Sequence, residues 1–139
     1  MTPAHPARAA TRPAPLALLL LAGLAAPALL PSPAAAEPVR LGMDIEDEAP
    51  IATAFALDSS CASTGTPTAA TSASPRLGRV DERPVTAAVP EGPCAGQQAE
   101  GVEFVFHAYS QKGEETFTLT IENATVGGGA HDVEVNVRD

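Results

Sequence analysis

The 139-residue sequence has no Trp, one Tyr and four Phe, and only 8 of its residues are Lys or Arg, against 17 Asp or Glu. Without Trp, the chain lacks the usual anchor of an aromatic binding platform. Its formal net charge of -9 excludes general nucleic-acid binding, which relies on Lys and Arg to neutralise phosphates. The length is too short for two ordinary domains. We therefore expect one small acidic domain.

The first 36 residues contain no acidic residue and predict a secretory signal peptide. Two Arg lie near the start, an apolar segment runs from Leu16 to Leu30, and the Ala triplet at 34–36 fits an A-x-A cleavage site before Glu37. The apolar run of about 15 residues is shorter than the roughly 20 that a spanning helix needs, which disfavours an uncleaved anchor. We expect an exported protein, periplasmic or extracellular, with no transmembrane span in the mature chain.

The residues after position 36 carry 6 Lys or Arg and 17 Asp or Glu, so the expected mature chain has a net charge of -11. Cys61 and Cys94 are its two cysteines, and in an oxidising compartment such a pair predicts one disulfide. Closing this loop stabilises a fold by roughly 4 kcal/mol on a chain-entropy model. A redox or zinc pair is the alternative, but redox thiols usually form C-x-x-C and zinc requires further ligands close by.

Residues 59–75 consist only of Ser, Thr, Ala, Gly, Pro and Cys, with no large apolar side chain. Such a segment cannot bury enough surface to offset its ordering, so it predicts a long flexible loop within the domain at 37–139. Its composition also permits O-glycosylation. After it, Leu77 to Val80 and Val85 to Val89 predict two short strands, separated by a polar turn at 81–84.

The C-terminal third shows the alternation of apolar and polar residues that is typical of half-buried strands. It occurs at 102–109, at 116–121 and at 133–137, with a run of three Gly before the last segment. About seven short strands can be counted, and no segment has the pattern of an amphipathic helix. The sequence therefore predicts an all-β fold, a small antiparallel β-sandwich compatible with an immunoglobulin-like architecture.

Two groups of residues are candidate metal ligands. Asp44, Glu46, Asp47 and Glu48 form an acidic run that could supply oxygen ligands to Ca²⁺, although the spacing is not that of an EF-hand. His107 and His131 could contribute to a Zn²⁺ or Cu²⁺ site if their strands were neighbours. A solvated charge run and scattered surface histidines are the simpler interpretations, so no cofactor is expected.

Catalysis needs an activated nucleophile or paired acid groups, and the sequence contains no G-x-S-x-G, H-E-x-x-H or Walker-type motif. The leading hypothesis is an exported, non-enzymatic accessory, binding or envelope protein that contacts another exported protein or an envelope component. A partner edge is predicted on the last strand at Val133, Val135 and Val137, because terminal edge strands pair with other chains. The alternatives are a metal-binding periplasmic module and a small secreted enzyme or enzyme inhibitor.

Overall fold

The computed structural model describes residues 36–139, which lie within the compact unit Ala34–Asp139. The predicted signal peptide at 1–36 lies outside the described residues except for Ala36. No helix in the described part has the length and apolar character needed to cross a membrane. Seven strands form instead, in the order β1 Val39–Asp44, β2 Glu48–Ala54, β3 Thr68–Thr71, β4 Gly78–Ala88, β5 Gln98–Ala108, β6 Gly113–Glu122 and β7 Gly129–Arg138.

The strands form two sheets, and the predicted small β-sandwich is confirmed. One sheet has the order β1-β7-β6-β3 and the other the order β2-β5-β4. All pairings are antiparallel except that of β1 with β7, which is parallel. In immunoglobulin domains, strands B, E and D are neighbours in one sheet, and strands G, F and C are neighbours in the other. The orders β2-β5-β4 and β7-β6-β3 correspond to these two groups. The grouping is compatible with an immunoglobulin-like architecture.

The core lies between the sheets because successive side chains of a strand point to opposite faces. The even-numbered residues of β5 from Val102 to Ala108 and the odd-numbered residues of β7 from Val133 to Val137 all point inward and are buried. The rings of Phe106 on β5 and Phe117 on β6 stack across the sheets with centroids 5.9 Å apart. Aromatic contacts of this kind join the two layers.

Gly78 is required where β4 begins beside this core. A Cβ atom at this position would lie 2.3 Å from the carbonyl oxygen of His107 and 2.6 Å from the Phe106 ring. Only a residue without a side chain lets β4 approach β5 at this point. The start of the strand is held further by Glu115, whose carboxylate oxygens accept the backbone N–H groups of Arg76 and Leu77, each at 2.9 Å.

A second apolar cluster forms around the disulfide. Cys61 and Cys94 are bonded as predicted, with Cα atoms 5.6 Å apart. Cys94 packs with Phe55 and Val126 in this cluster, which also contains buried Leu57, Val89 and Ala99. The bond joins two loops that contain few large apolar residues, so it supplies cohesion that packing alone cannot.

Two sequence predictions near β3 and β4 are wrong. The segment at 59–75 is not a loop throughout, because Thr68–Thr71 forms β3 and pairs with β6 from Glu122 to Leu119. The polar residues at 81–84 are not a turn, because they lie inside the single strand β4, which pairs with β5 from Ala108 to Gln98. Backbone pairing with β6 and β5 outweighs the weak propensity of both segments.

Replacement of both cysteines, Cys61→Ala with Cys94→Ala, should lower the free energy of unfolding by about 4 kcal/mol, because the unfolded chain regains the entropy of an open loop. Denaturant unfolding measures the change. The wild-type protein in reductant serves as the control and should unfold at the same denaturant concentration as the double variant. A difference between oxidised and reduced wild type below about 1 kcal/mol would contradict this role.

The loop that carries Cys61 is organised by Asp58. One oxygen of its carboxylate, Oδ1, accepts hydrogen bonds from the hydroxyl and N–H of Ser60, at 2.7 and 2.9 Å, and from the N–H of Ala62, at 3.0 Å. The hydrogen bond from the Ser60 side chain, followed by those from the two backbone groups, lowers the pKa of Asp58. The ionised carboxylate therefore stabilises the folded state relative to the unfolded chain.

The variant Asp58→Asn should be less stable than the wild type near neutral pH, since it cannot carry the charge. A depressed pKa gives stability that is present above the unfolded-state pKa of about 4 and is lost as the pH falls through the lower folded-state pKa. Thermal unfolding across this acidic range should show the two proteins converging. A stability difference that stays constant down to the lowest pH would disprove the assignment.

Candidate functional site

The partner edge predicted on the last strand is wrong in its position. Strand β7 lies between β1 and β6, and Val133, Val135 and Val137 are at most 2% exposed. The prediction failed because β1, from the opposite end of the described chain, adds in parallel beside β7. The sheet edges are β1, β3, β2 and β4.

The candidate metal ligands are dispersed. Glu48 lies on the outer face of its sheet, where Oε1 accepts a hydrogen bond from Arg83 at 2.9 Å and Oε2 lies 3.9 Å from Nδ1 of His107. The hydrogen bond from Arg83 to Glu48, together with the negative charge of Glu48, raises the pKa of Arg83. The carboxylate of Asp47 accepts a hydrogen bond from the N–H of Glu48. Glu46 lies in a turn and has a φ of 60°. Asp44 is the last residue of β1.

The two histidines are not brought together. His107 is on β5, whereas His131 is on β7 in the other sheet, with Nε2 3.0 Å from the carbonyl oxygen of Gly127. In the part of the chain from 36 to 139, no group of three or more His, Cys, Asp or Glu side chains is placed to hold a metal ion.

Strand β4 is the longest edge strand. It has eleven residues, compared with six in β1, seven in β2 and four in β3. Strand β2 is also interrupted by Pro50 and by a shift of register between Pro50 and Ala52. Because β4 is longer and keeps one register with β5 along its whole length, it is the edge best suited to accept another strand.

The direction of the main-chain groups of β4 follows from its two ends. At one end Tyr109 donates its N–H to Leu77, and at the other Val89 donates to Gln97, at 2.7 and 2.9 Å. Leu77 and Val89, which lie next to the two ends of β4, are both odd-numbered. Hydrogen-bonded pairs occur at every second residue along an antiparallel pair of strands. The odd-numbered residues of β4 therefore bond to β5, and the even-numbered residues direct their N–H and C=O groups to the open edge.

Pro84 agrees with this assignment. It is even-numbered, so the missing N–H costs no bond to β5. Proline and charged residues on an edge strand limit uncontrolled pairing. Pro84 consequently interrupts the row of donors on the open edge, with Gly78, Val80 and Glu82 before it and Thr86 and Ala88 after it.

Two clefts follow one another along this open edge, between β4 and the opposite sheet. The upper cleft, of about 420 Å³, lies between Ala69 and Ala70 of β3 and the segment of β4 from Gly78 to Glu82. Tyr109 also lines it and is 43% exposed. The lower cleft, of about 330 Å³, lies between the segment 63–67 and β4 at 84–86.

The clefts exist because β3 covers only part of β4. The inward-pointing Val80 packs against the main core, whereas Glu82, Pro84, Thr86 and Ala88, which follow it on the same face, are exposed. A strand bound along the edge would place its inward side chains over this uncovered surface. Neither cleft is lined by a His or Cys of the described residues.

The sequence did not identify this edge, since residues 77–89 resemble two weak strands around a turn. One signal was present, namely Pro84 directly after the charged residues Asp81, Glu82 and Arg83, a composition typical of edge strands. Comparison of the chain with protein-family models, curated proteins and solved structures finds no match. The geometry of the site is thus the basis for any functional proposal.

Amide hydrogen exchange in the free protein should alternate along β4. The N–H groups of Arg79, Asp81 and Arg83 are bonded to β5 and should exchange about ten-fold or more slowly than those of Val80 and Glu82, which face the open edge. Residue-resolved exchange by NMR measures this, and the bonded residues of the same strand are the internal control. Equal protection at all five positions would show that the edge is covered.

Proposed function

We propose that the protein is an exported, non-enzymatic binding protein that holds an extended segment of another exported or envelope protein along the open edge of β4. The observation that carries the proposal is an eleven-residue edge strand whose outward main-chain groups border two clefts. Main-chain hydrogen bonds would supply affinity, and the clefts would select the side chains that alternate inward.

The upper cleft supports the proposal with an aromatic anchor. Tyr109 is one of two large apolar residues exposed among those described, and it borders the half of β4 that has the longer run of open-edge donors. Tyrosines at the centre of an interface contribute disproportionately to binding, because a large rigid ring is desolvated at small entropic cost. A bound strand would cover the Tyr109 ring while it pairs with Val80 and Glu82.

The sequence supports the location. The pattern of the first 36 residues is that of an export signal, and the Cys61–Cys94 disulfide is typical of proteins from oxidising compartments. A partner reached by this edge would therefore be periplasmic, extracellular or attached to the envelope.

The variant Glu82→Pro should abolish capture of partners, because proline removes the donor at the middle of the open edge and leaves every bond to β5 intact. The matched control is Glu82→Thr, which also removes the carboxylate but keeps the N–H. Affinity capture from exported proteins of the native host should retain its main partner with Thr and lose it with Pro.

Both variants must unfold at temperatures close to that of the wild type. On addition of the purified partner, the amides of Val80 and Glu82 should gain protection from hydrogen exchange in the wild type and at Val80 in Glu82→Thr. Equal capture by a folded Glu82→Pro variant would overturn the proposal.

A further inference from the structure

The inner side of the open edge is acidic. Glu82 follows Val80 on the inward-facing side of β4, and Glu100 precedes Val102 on the inward-facing side of β5. Both Glu side chains are exposed. Glu82 lines the upper cleft and Glu100 the lower one. Neither carboxylate has an ion-pair partner among residues 36–139, so the negative charge of this surface is uncompensated there.

Two cations on β4 itself, Arg79 and Arg83, are engaged in ion pairs. Arg79 borders the upper cleft, but its Nε donates to both carboxylate oxygens of Asp81, at 2.9 and 3.1 Å. Arg83 points to the outer face, where it contacts Glu48 at 2.9 Å and Glu103 at 3.9 Å. These pairs leave the carboxylates of the inner side as the charge that an added strand would meet.

We infer that the segment bound along β4 is basic, with one Lys or Arg beside Glu82 and another opposite Thr86, whose long side chain extends across β4 to Glu100. This inference rests on the proposed function and specifies its partner. Complementary charge at the rim of an interface selects partners and accelerates association. Two exposed charge pairs of this kind contribute only modestly, which corresponds to about a five-fold difference in affinity.

The upper cleft suits the aliphatic stem of a Lys or Arg side chain, which packs along apolar walls while its charged end reaches Glu82. Its walls include Ala69, Ala70, Val80 and Leu119, and its floor begins at Gly78, where no side chain protrudes. Because Pro84 interrupts the donors after Glu82, the bound segment forms its longest run of hydrogen bonds before Pro84 and extends a basic residue past it toward Glu100. The occupant is thus a short extended segment, and not a folded domain face.

Tyr109 provides the measurement. It is the only Tyr of a chain that has no Trp, so tyrosine emission reports on the upper cleft alone. The probes are three capped peptides of about nine residues, the length of a long strand, in which Thr alternates with Lys, with Gln or with Glu. The Lys peptide should bind about five-fold more tightly than the Gln peptide. The Glu peptide should bind most weakly, and added salt should remove the differences.

The double variant Glu82→Gln with Glu100→Gln should bind the Lys and Gln peptides equally. The matched control is Glu91→Gln with Glu122→Gln, which removes two exposed carboxylates that lie outside both clefts. Since both variants change the net charge equally, a preference for Lys that survives only in the control locates the effect at the edge. Loss of the preference in both would attribute it to overall charge and overturn the inference.

The outcomes separate the inference from the proposed function. If the Gln peptide binds as tightly as the Lys peptide and Glu82→Pro abolishes both, the edge binds strands and the basic partner is wrong. If the Lys peptide leaves Tyr109 emission unchanged and Glu82→Pro does not alter native capture, both fail. A dimer in sedimentation that Glu82→Pro dissociates would show that the occupant is a second copy of the chain, which also contradicts the inference.

Discussion

Strand β3 has four residues, whereas β4, which lies across from it at the open side of the sandwich, has eleven. Inward-pointing side chains of a sheet are buried only where the opposite sheet covers them. Val80 lies in the covered part and packs against the core, while Glu82, Pro84 and Thr86 lie beyond it and are exposed. The exposure of these side chains and the two clefts follow from this difference in length.

The composition of the segment at 59–75 explains the short β3. With only small residues available, it pairs with β6 through Thr68–Thr71 and is extended by Ser72, whose N–H bonds to Thr118 and whose hydroxyl accepts the Thr118 N–H. The remaining part is held by Asp58 and by the disulfide. Because this segment has few large apolar residues, β3 is short and the rest of the segment depends on the Cys61–Cys94 disulfide.

Much of the fold was predictable where strands alternate strongly. The patterns at 102–109, 116–121 and 133–137 correspond to β5, β6 and β7, because each packs one face against the core. The order of strands was not predictable, since the pairing of Arg40 with Glu134 joins residues that are 94 positions apart. Local alternation identifies a strand but does not say which strand lies beside it, so β7 was expected at an edge.

The candidate site was less predictable than the fold. Its main feature is the register that directs the even-numbered groups of β4 outward, and a register emerges only when β4 and β5 are paired. Tyr109 gave no signal of function in the sequence, because a single tyrosine at the end of a strand is ordinary. Its position in the cleft beside Val80 and Gly78 is the reason for the proposed role as an anchor.

The most direct test of strand addition at β4 is the pattern of intermolecular nuclear Overhauser effects in a complex with the native partner segment. Strand addition predicts contacts between the amide protons of Val80 and Glu82 and the backbone protons of the partner, together with contacts from the Tyr109 ring to its side chains. Contacts confined to the outer face of either sheet, with β4 unaffected, would contradict it.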